Sequence, residues 1–314
     1  MTDPNYSTTF ACRTAHSIWR VLLYFEVFSY PLTAKEIFHY LDFSFDASDQ
    51  ALAIDEVKDA LDEMVAQGRI VRFGDFYQTQ DQPSWVEARL DCNRRADEYL
   101  PLANRMARFI GCFPFIRGVF VSGSLSKHCM KPDSDIDFFI ITAPGRLWLA
   151  RTLLVLFKKI FLFNSHKYFC VNYFIDTEHL EIEEKNLFTA TEIVTLLPLY
   201  GREWCVRFFE SNRWAQRRYP NFRLRLAEST PFHRRSWGKK WAEYLLSGRL
   251  GHLLDRQTMR LTVGYWRRKF SHFNPETFNV ALKSRQYVSK HHPLHFQQRV
   301  LVAYEKRVKE MGVL

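Results

Sequence analysis

The chain has 314 residues, 47% of them apolar, which is enough for a substantial core and for two or three domains. Its 44 Lys and Arg against 34 Asp and Glu give a net charge of +10, which points toward an anionic ligand or partner and excludes an acidic, solvated, disordered chain. The six cysteines, Cys12, Cys92, Cys112, Cys129, Cys170 and Cys205, form no C-x-x-C pair. That predicts reduced, buried thiols in a cytoplasmic protein and argues against a disulfide framework or a zinc site.

Residues Met1 to Ser7 have neither a basic nor an apolar segment, so no signal peptide is expected there. An apolar pattern of helical period covers Ile18 to Phe28 and stops at Ser29-Tyr30-Pro31. Thr33, with Glu36 three residues on, predicts a capping box for a helix reaching Leu41. A third helix fits Ile54 to Gln67, with Gly68 past its end. Arg69 to Gln78 reads as two short strands joined by Gly74-Asp75. Three helices and a hairpin over residues 14–80 resemble a winged helix-turn-helix domain. The third helix, however, displays Asp55, Glu56, Asp59, Asp62 and Glu63 beside a single cation, Lys58. These acids would repel phosphates, so packing or protein contact is expected there and sequence-specific DNA binding is not. Residues 81–111 read as a helical linker, with Pro101 suited to the first turn of a new helix.

The most informative segment follows. Val119 to Ser122 is an apolar strand, Gly123-Ser124 a turn, Leu125 to Ser134 a polar spacer, and Asp135-Ile136-Asp137 the entry to a second apolar strand ending at Ile141. Strand residues two apart share a face, so the carboxylates of Asp135 and Asp137 are expected side by side. Held together on a buried strand they repel and lose hydration, and a hard divalent cation with oxygen ligands compensates. The Gly-Ser turn offers backbone N–H groups and a hydroxyl, which suit a phosphate. A carboxylate pair beside a phosphate cradle equips a chain for phosphoryl or nucleotidyl transfer.

In order and at this spacing, these residues resemble the signature of the DNA polymerase β-like nucleotidyltransferase superfamily. The resemblance implies that Ser122, Gly123 and Ser124 grip the triphosphate of a nucleotide, ATP in this reading. It implies that Asp135 and Asp137 bind two Mg²⁺ ions, one at the triphosphate and one at the attacking hydroxyl. Lys127 and Lys131 in the spacer either add charge to the phosphates or are ordinary solvated loop lysines. The family's third acid, often a general base, would come from the strand Tyr168 to Asp176. The aligned position is Asn172, and Asp176 is the strand's only carboxylate. The two share a face by parity, but four residues span ~13 Å, too far to meet one metal. An Asn amide can ligate through oxygen yet cannot accept a proton at neutral pH. Two functions follow. One is a Mg²⁺-dependent nucleotidyltransferase that moves a nucleoside monophosphate to a hydroxyl or phosphate acceptor. The other is a catalytically inactive nucleotide-binding sensor or scaffold with a winged-helix interaction domain.

Beyond the motif, Leu147 to Phe163 is apolar but interrupted by Arg151, Lys158 and Lys159. It is too short to span a bilayer and predicts a helix packed on the sheet. Phe188 to Leu197 reads as a helix, Pro198 as a break, and the basic tail beyond as further helices. Residues 201–314 hold 24 Lys and Arg against 8 Asp and Glu, a balance of +16. Trp214, Tyr219, Trp237, Trp241, Tyr265 and Trp266 lie among these cations. Either this is a surface for RNA, polyphosphate or an acidic protein, or the aromatics are the buried stripe of amphipathic helices. Lys290 to His295 is rich in histidine, but with no carboxylate or cysteine close by it reads as a solvated or phosphate-facing loop. The expected fold class is a multidomain mixture of α+β and α/β. It comprises a winged-helix-like domain at 14–80, a helical linker at 81–111, a small mixed-sheet nucleotidyltransferase core at 112–200, and a basic helical region at 201–314.

Overall fold

A computed structural model describes residues 4–42, 53–161, 168–224, 237–291 and 296–312. Helix α1 (Pro4–Glu26) buries Ile18, Leu22 and Phe25 along one face. The chain turns through Ser29, at φ 53, into β1 (Leu32–Thr33) and α2 (Ala34–His39). The expected capping box is formed, with Glu36 N donating to Thr33 Oγ1 at 3.3 Å and Thr33 N to Glu36 Oε2 at 2.9 Å. Helix α3 (Ile54–Ala66) buries Val57, Leu61 and Met64 and leaves its five acids exposed. Strands β2 (Val71–Phe73) and β3 (Phe76–Gln78) form an antiparallel hairpin around Gly74, and β1 joins it in the order β1-β3-β2.

Next comes α4 (Pro83–Gly111), one unbroken helix of 29 residues with Pro101 inside it. The sequence predicted a new helix at Pro101, and the difference has a tertiary cause. Ala96, Ala103, Ala107 and Ile110 are fully buried along one side of the helix. Pro101 itself is exposed. Packing of that long face outweighs the loss of one backbone hydrogen bond at the proline.

The central part runs β4 (Ile116–Ser122), α5 (Gly123–Ser126), β5 (Asp137–Thr142), α6 (Leu147–Phe161), β6 (Cys170–Asp176), α7 (Leu187–Thr195) and β7 (Leu197–Tyr200). After it come α8 (Arg202–Ser211), α9 (Arg213–Arg218), α10 (Trp237–Leu245), α11 (Arg249–Lys269) and α12 (Pro275–Ala281). A hairpin of β8 (Ser284–Arg285) and β9 (Val288–Lys290) precedes α13 (Phe296–Glu310). Among the described residues the large sheet has six strands in the order β7-β4-β5-β6-β9-β8. Only β5 and β6 pair in parallel, so the sheet is mixed, as expected.

Two readings of the C-terminal half change. Pro198 lies within β7, an edge strand, where a missing N–H costs no ladder bond on the outer side. The basic tail also supplies β8 and β9, strands of two and three residues that are too short to show an alternation in sequence. Lys290 ends β9 and is buried, while residues 292–295 of the histidine-rich stretch fall outside the described residues.

Both sheet faces are covered. Phe120, Phe139, Ile141 and Ile175 join a core with residues of α1, α7, α8 and α13. Val119, Val121, Phe138, Ile140 and Phe174 face the other way, into a core with α4 and α6. The N-terminal helices therefore share one apolar core with the sheet. Among the described residues, no helix is long and apolar enough to cross a membrane.

The cysteine reading is corrected in part, holding for Cys170 and Cys205 but not for Cys92, Cys112 and Cys129. Cys92 of α4 and Cys129 form a disulfide across 37 residues, while Cys170 and Cys205 are buried thiols and Cys112 is exposed. The pair is joined by the fold rather than by a local motif, and its presence removes the support that the cysteine pattern lent to a reducing compartment.

Candidate active site

Strands β4 and β5 run antiparallel with Ser122 opposite Asp137, so the turn leaving β4 meets the start of β5. Gly123 turns the chain at φ +69, and a Cβ placed on it would fall 2.8 Å from Asp137 Oδ2. Both the backbone angle and the close approach require a residue without Cβ. Gly123 to Ser126 form the single turn α5, whose first N–H groups have no partner within the helix. Ser126 Oγ donates to Gly123 O at 2.8 Å and closes that turn, with Ser124 half-buried on it. Ser122 Oγ lies 3.5 Å from the Asp137 carbonyl oxygen, to which it donates weakly.

The neighbouring strand brings Asn172 to the same place. Phe138 pairs with Val171 and Phe139 with Tyr173, so Asn172 is the extra residue of a bulge. A bulge re-aims a side chain, and here Asn172 Nδ2 donates to Asp137 Oδ1 at 2.9 Å. The backbone of the bulge is held from β9, His291 N donating to Asn172 O at 2.9 Å.

The Asp137 carboxyl is raised to about 6. Burial is the main cause, the charges of Asp135 and Glu192 add to it, and hydrogen bonds from Cys170 and Asn172 oppose it. Asp135, half-buried on the segment entering β5, thus acts electrostatically on Asp137. The Cys170 thiol is pushed far up by burial, then by Asp137 and Asp135.

Three neighbours were not anticipated. Glu192, the one charged residue of α7, sits at the site and is a signal the sequence did offer, since a lone carboxylate on an otherwise uncharged helix needs a partner. That partner is Lys127, whose Nζ donates to Glu192 Oε1 at 2.7 Å and to Gly123 O at 3.1 Å. Lys127 therefore braces the turn through protein partners, where the sequence left it either beside the phosphates or in solvent. Lys158 of α6 is buried and lowered mainly by that burial, with Cys170 and Asp135 pulling the other way. Tyr30 Oη donates to Lys127 O at 2.7 Å, linking the N-terminal helices to the same loop.

The spacer is pinned to α4. Cys129 is bonded to Cys92, Met130 N donates to Cys92 O at 3.0 Å, and His128 Nε2 lies 2.8 Å from Asp97 Oδ1. Asp176 is placed elsewhere. It stands opposite Thr142 at the other end of β5, roughly 16 Å from Asp137 by strand rise. There its Oδ1 accepts from the backbone N–H groups of Glu178 and His179, and His179 Nδ1 lies 2.8 Å from it. It ends a strand and does not join Asp135 and Asp137.

Among the described residues no three His, Cys, Asp or Glu gather into a metal-ligand group. Asp135 and Asp137 are two carboxylates that feel each other's charge, and such a pair suits a hard cation that completes its shell with phosphate oxygens and water. The donor set fits such an ion on two counts. Burial and the charge of Asp135 penalise the Asp137 carboxylate, which a cation would relieve, and the Gly123 bend lies directly against it.

The mixed sheet thus sets a small-residue turn against the carboxylate of Asp137. Residues 107–233 match the family model of the nucleotidyltransferase domain, so this chain carries such a domain, as the resemblance implied. No curated protein and no solved structure matches the chain.

Proposed function

We propose that the protein is a Mg²⁺-dependent nucleotidyltransferase that transfers a nucleoside monophosphate from a nucleoside triphosphate, ATP, to a hydroxyl or phosphate acceptor. The observation that carries this reading is the contact of the Gly123 turn with Asp137, which gives the phosphate cradle and the carboxylate seat one location. Asp135 and Asp137 would hold two Mg²⁺ ions, and Ser122, Gly123 and Ser124 the triphosphate. Once bound, the cations would neutralise carboxylate and phosphate charge and steady the triphosphate for in-line attack. Lys158 lies within electrostatic reach of Asp135. The acceptor oxygen would form the new bond to the α-phosphorus as the bond from that phosphorus to the bridging oxygen breaks and pyrophosphate leaves, a hydroxyl acceptor giving its proton to water or to the substrate. Glu192, locked to Lys127, keeps the turn in place.

The N-terminal residues 14–80 are proposed as a winged-helix-like contact unit, with the helical linker at 81–111 and the nucleotidyltransferase core at 112–200. The exposed acids of α3 argue against DNA as its partner. The basic region 201–314 favours an anionic one.

One observation favours the inactive sensor or scaffold as a second reading. Asn172, in place of an acid, donates to Asp137 and has no proton-accepting group at neutral pH. Incubation of the purified protein with labelled ATP and Mg²⁺ separates the two. Pyrophosphate release that disappears in Asp135→Ala and Asp137→Ala supports the enzyme. Release that survives both changes sinks it. Mg²⁺-dependent ATP binding without release, converted to turnover by Asn172→Asp, supports the sensor.

A further inference from the structure

We propose that α10 and α11 form a docking face for an anionic phospholipid bilayer, on which the protein rests without crossing it. The inference stands apart from nucleotidyl transfer and arises from a reversal of the usual helix pattern. An amphipathic surface helix ordinarily buries its apolar stripe and wets its charges. Helix α10 does the opposite.

Its inner face is polar. Lys239 Nζ donates to the carbonyls of Gly111 and Ile116, both at 2.7 Å, which caps the end of α4. Glu243, one turn further on, accepts from Phe115 N at 2.7 Å and pairs with Arg117 at 2.7 Å. These bonds turn Trp237, Trp241, Tyr244 and Leu245 outward, with Trp237 77% and Tyr244 78% exposed. Helix α11 buries Trp266, with Leu254, Met259 and Val263 packed on the same core, and Asp255, which accepts from Leu149 N at 2.9 Å. It still leaves Leu250, Leu253, Leu261 and Tyr265 exposed. The joint between the helices is fixed as well, Arg146 donating to the carbonyls of Leu246, Ser247 and Gly248. Outward display of apolar side chains is therefore held by buried polar bonds and is part of the fold.

Charge selects the occupant. Between Trp237 and Lys269 the only acids are Glu243 and Asp255, and both are buried. The exposed charges are all positive: Lys240, Arg249, Arg256 and Arg260, with three more in the last turn of α11. A second copy of the chain would bring this cationic face against its own like. Among anionic partners, a single-stranded nucleic acid would use the aromatic rings for stacking but has no use for four exposed leucines. Tryptophan, tyrosine and leucine among Lys and Arg, with no exposed acid, is the composition of an interfacial helix on anionic lipid. Helix α6, which packs against α11, also ends in exposed Ile160 and Phe161.

The full chain is to be sedimented with phosphatidylcholine vesicles and with vesicles containing phosphatidylglycerol, at low and high salt. The expected result is at least tenfold stronger retention on the anionic vesicles, weakened by salt and accompanied by a blue shift of tryptophan fluorescence. Trp237→Ala with Trp241→Ala should lower retention about tenfold, and Lys240→Glu with Arg256→Glu should do the same. These side chains are exposed, and far-UV circular dichroism confirms that the variants fold. Equal retention on neutral and anionic vesicles, or none, overturns the proposal. So does retention that is indifferent to the tryptophan changes. Tight binding of a single-stranded oligonucleotide, lost in the tryptophan variant while vesicles are ignored, overturns it in favour of nucleic acid. A dimer in solution that the same variant dissolves overturns it in favour of self-association.

Discussion

Substituting Gly123 by alanine tests the geometry on which the site depends. Two costs are expected. At φ +69 an L-residue with a Cβ loses roughly 1–2 kcal/mol. The new methyl would also stand 2.8 Å from Asp137 Oδ2 and 3.6 Å from Asp137 Cγ, so the carboxylate must rotate away. That movement weakens the 2.9 Å hydrogen bond from Asn172, and a bond to a charged group is worth about 1.5–3 kcal/mol. Partial loss brings the total to about 2–4 kcal/mol. Gly74→Ala is the matched control, because Gly74 has φ +59 with nothing within 4 Å of its Cβ position. It should lose only the backbone part, roughly 1–2 kcal/mol. Urea denaturation at constant slope gives both values. Mg²⁺-dependent ATP binding by calorimetry should fall more than tenfold for Gly123→Ala and stay unchanged for Gly74→Ala. Equal destabilisation of the two variants, with nucleotide binding intact in both, would refute the contact between turn and carboxylate.

Two further outcomes are expected. Burial pushes the Glu243 carboxyl up, but the hydrogen bond and charge of Arg117 and the Phe115 N–H outweigh it and leave it lowered. A lowered carboxyl contributes stability that is present in full above the ordinary glutamate value of about 4.3 and lost as pH falls through its folded value. Urea midpoints from pH 7 to pH 3 should therefore drop more steeply for the native chain than for Glu243→Gln. That variant should itself lose about 3 kcal/mol at neutral pH by leaving Arg117 without its buried partner, and parallel curves would dismiss the contribution. Breaking the Cys92–Cys129 link with Cys129→Ser should cost about 2–4 kcal/mol, given the 37-residue separation it closes. It should also loosen ATP binding, since Cys129 lies between the Gly123 turn and Asp135. A non-reducing peptide map without the joined peptide would remove the basis for both effects.

What the sequence revealed and what it hid divide along a physical line. The turn and the acid pair were legible because they are contiguous and lie between two apolar strands whose pairing follows directly from their order. The capping box at Thr33 was legible for the same reason, all its atoms coming from four consecutive residues. The disulfide, the Lys127–Glu192 pair and the Tyr30 contact join residues 37, 65 and 97 apart. No local pattern encodes such meetings, and the packing of helices and loops around the sheet decides them. Pro101 and Pro198 misled in the opposite sense. Local chemistry argued for breaks, and a long buried face and an edge position made both tolerable.

The same line runs through the site and through the basic half of the chain. Asn172 was found by alignment with the motif, but the bulge that turns it onto Asp137 was not, because a bulge is a property of two strands. The aromatics of the basic region were read either as a surface or as a buried stripe, and the structure divides them. Tyr219 and Trp266 are buried, whereas Trp237, Trp241 and Tyr265 are exposed. The division turns on Lys239, Glu243 and Asp255, whose charges look like solvated surface in sequence. Each finds instead a buried carbonyl, N–H or guanidinium on the nucleotidyltransferase domain. In α10 those inward bonds leave one face to present, and it is the apolar one. Charge sets the orientation of α10 because Lys239 and Glu243 satisfy buried carbonyls, an N–H and a guanidinium that would otherwise stay unpaired.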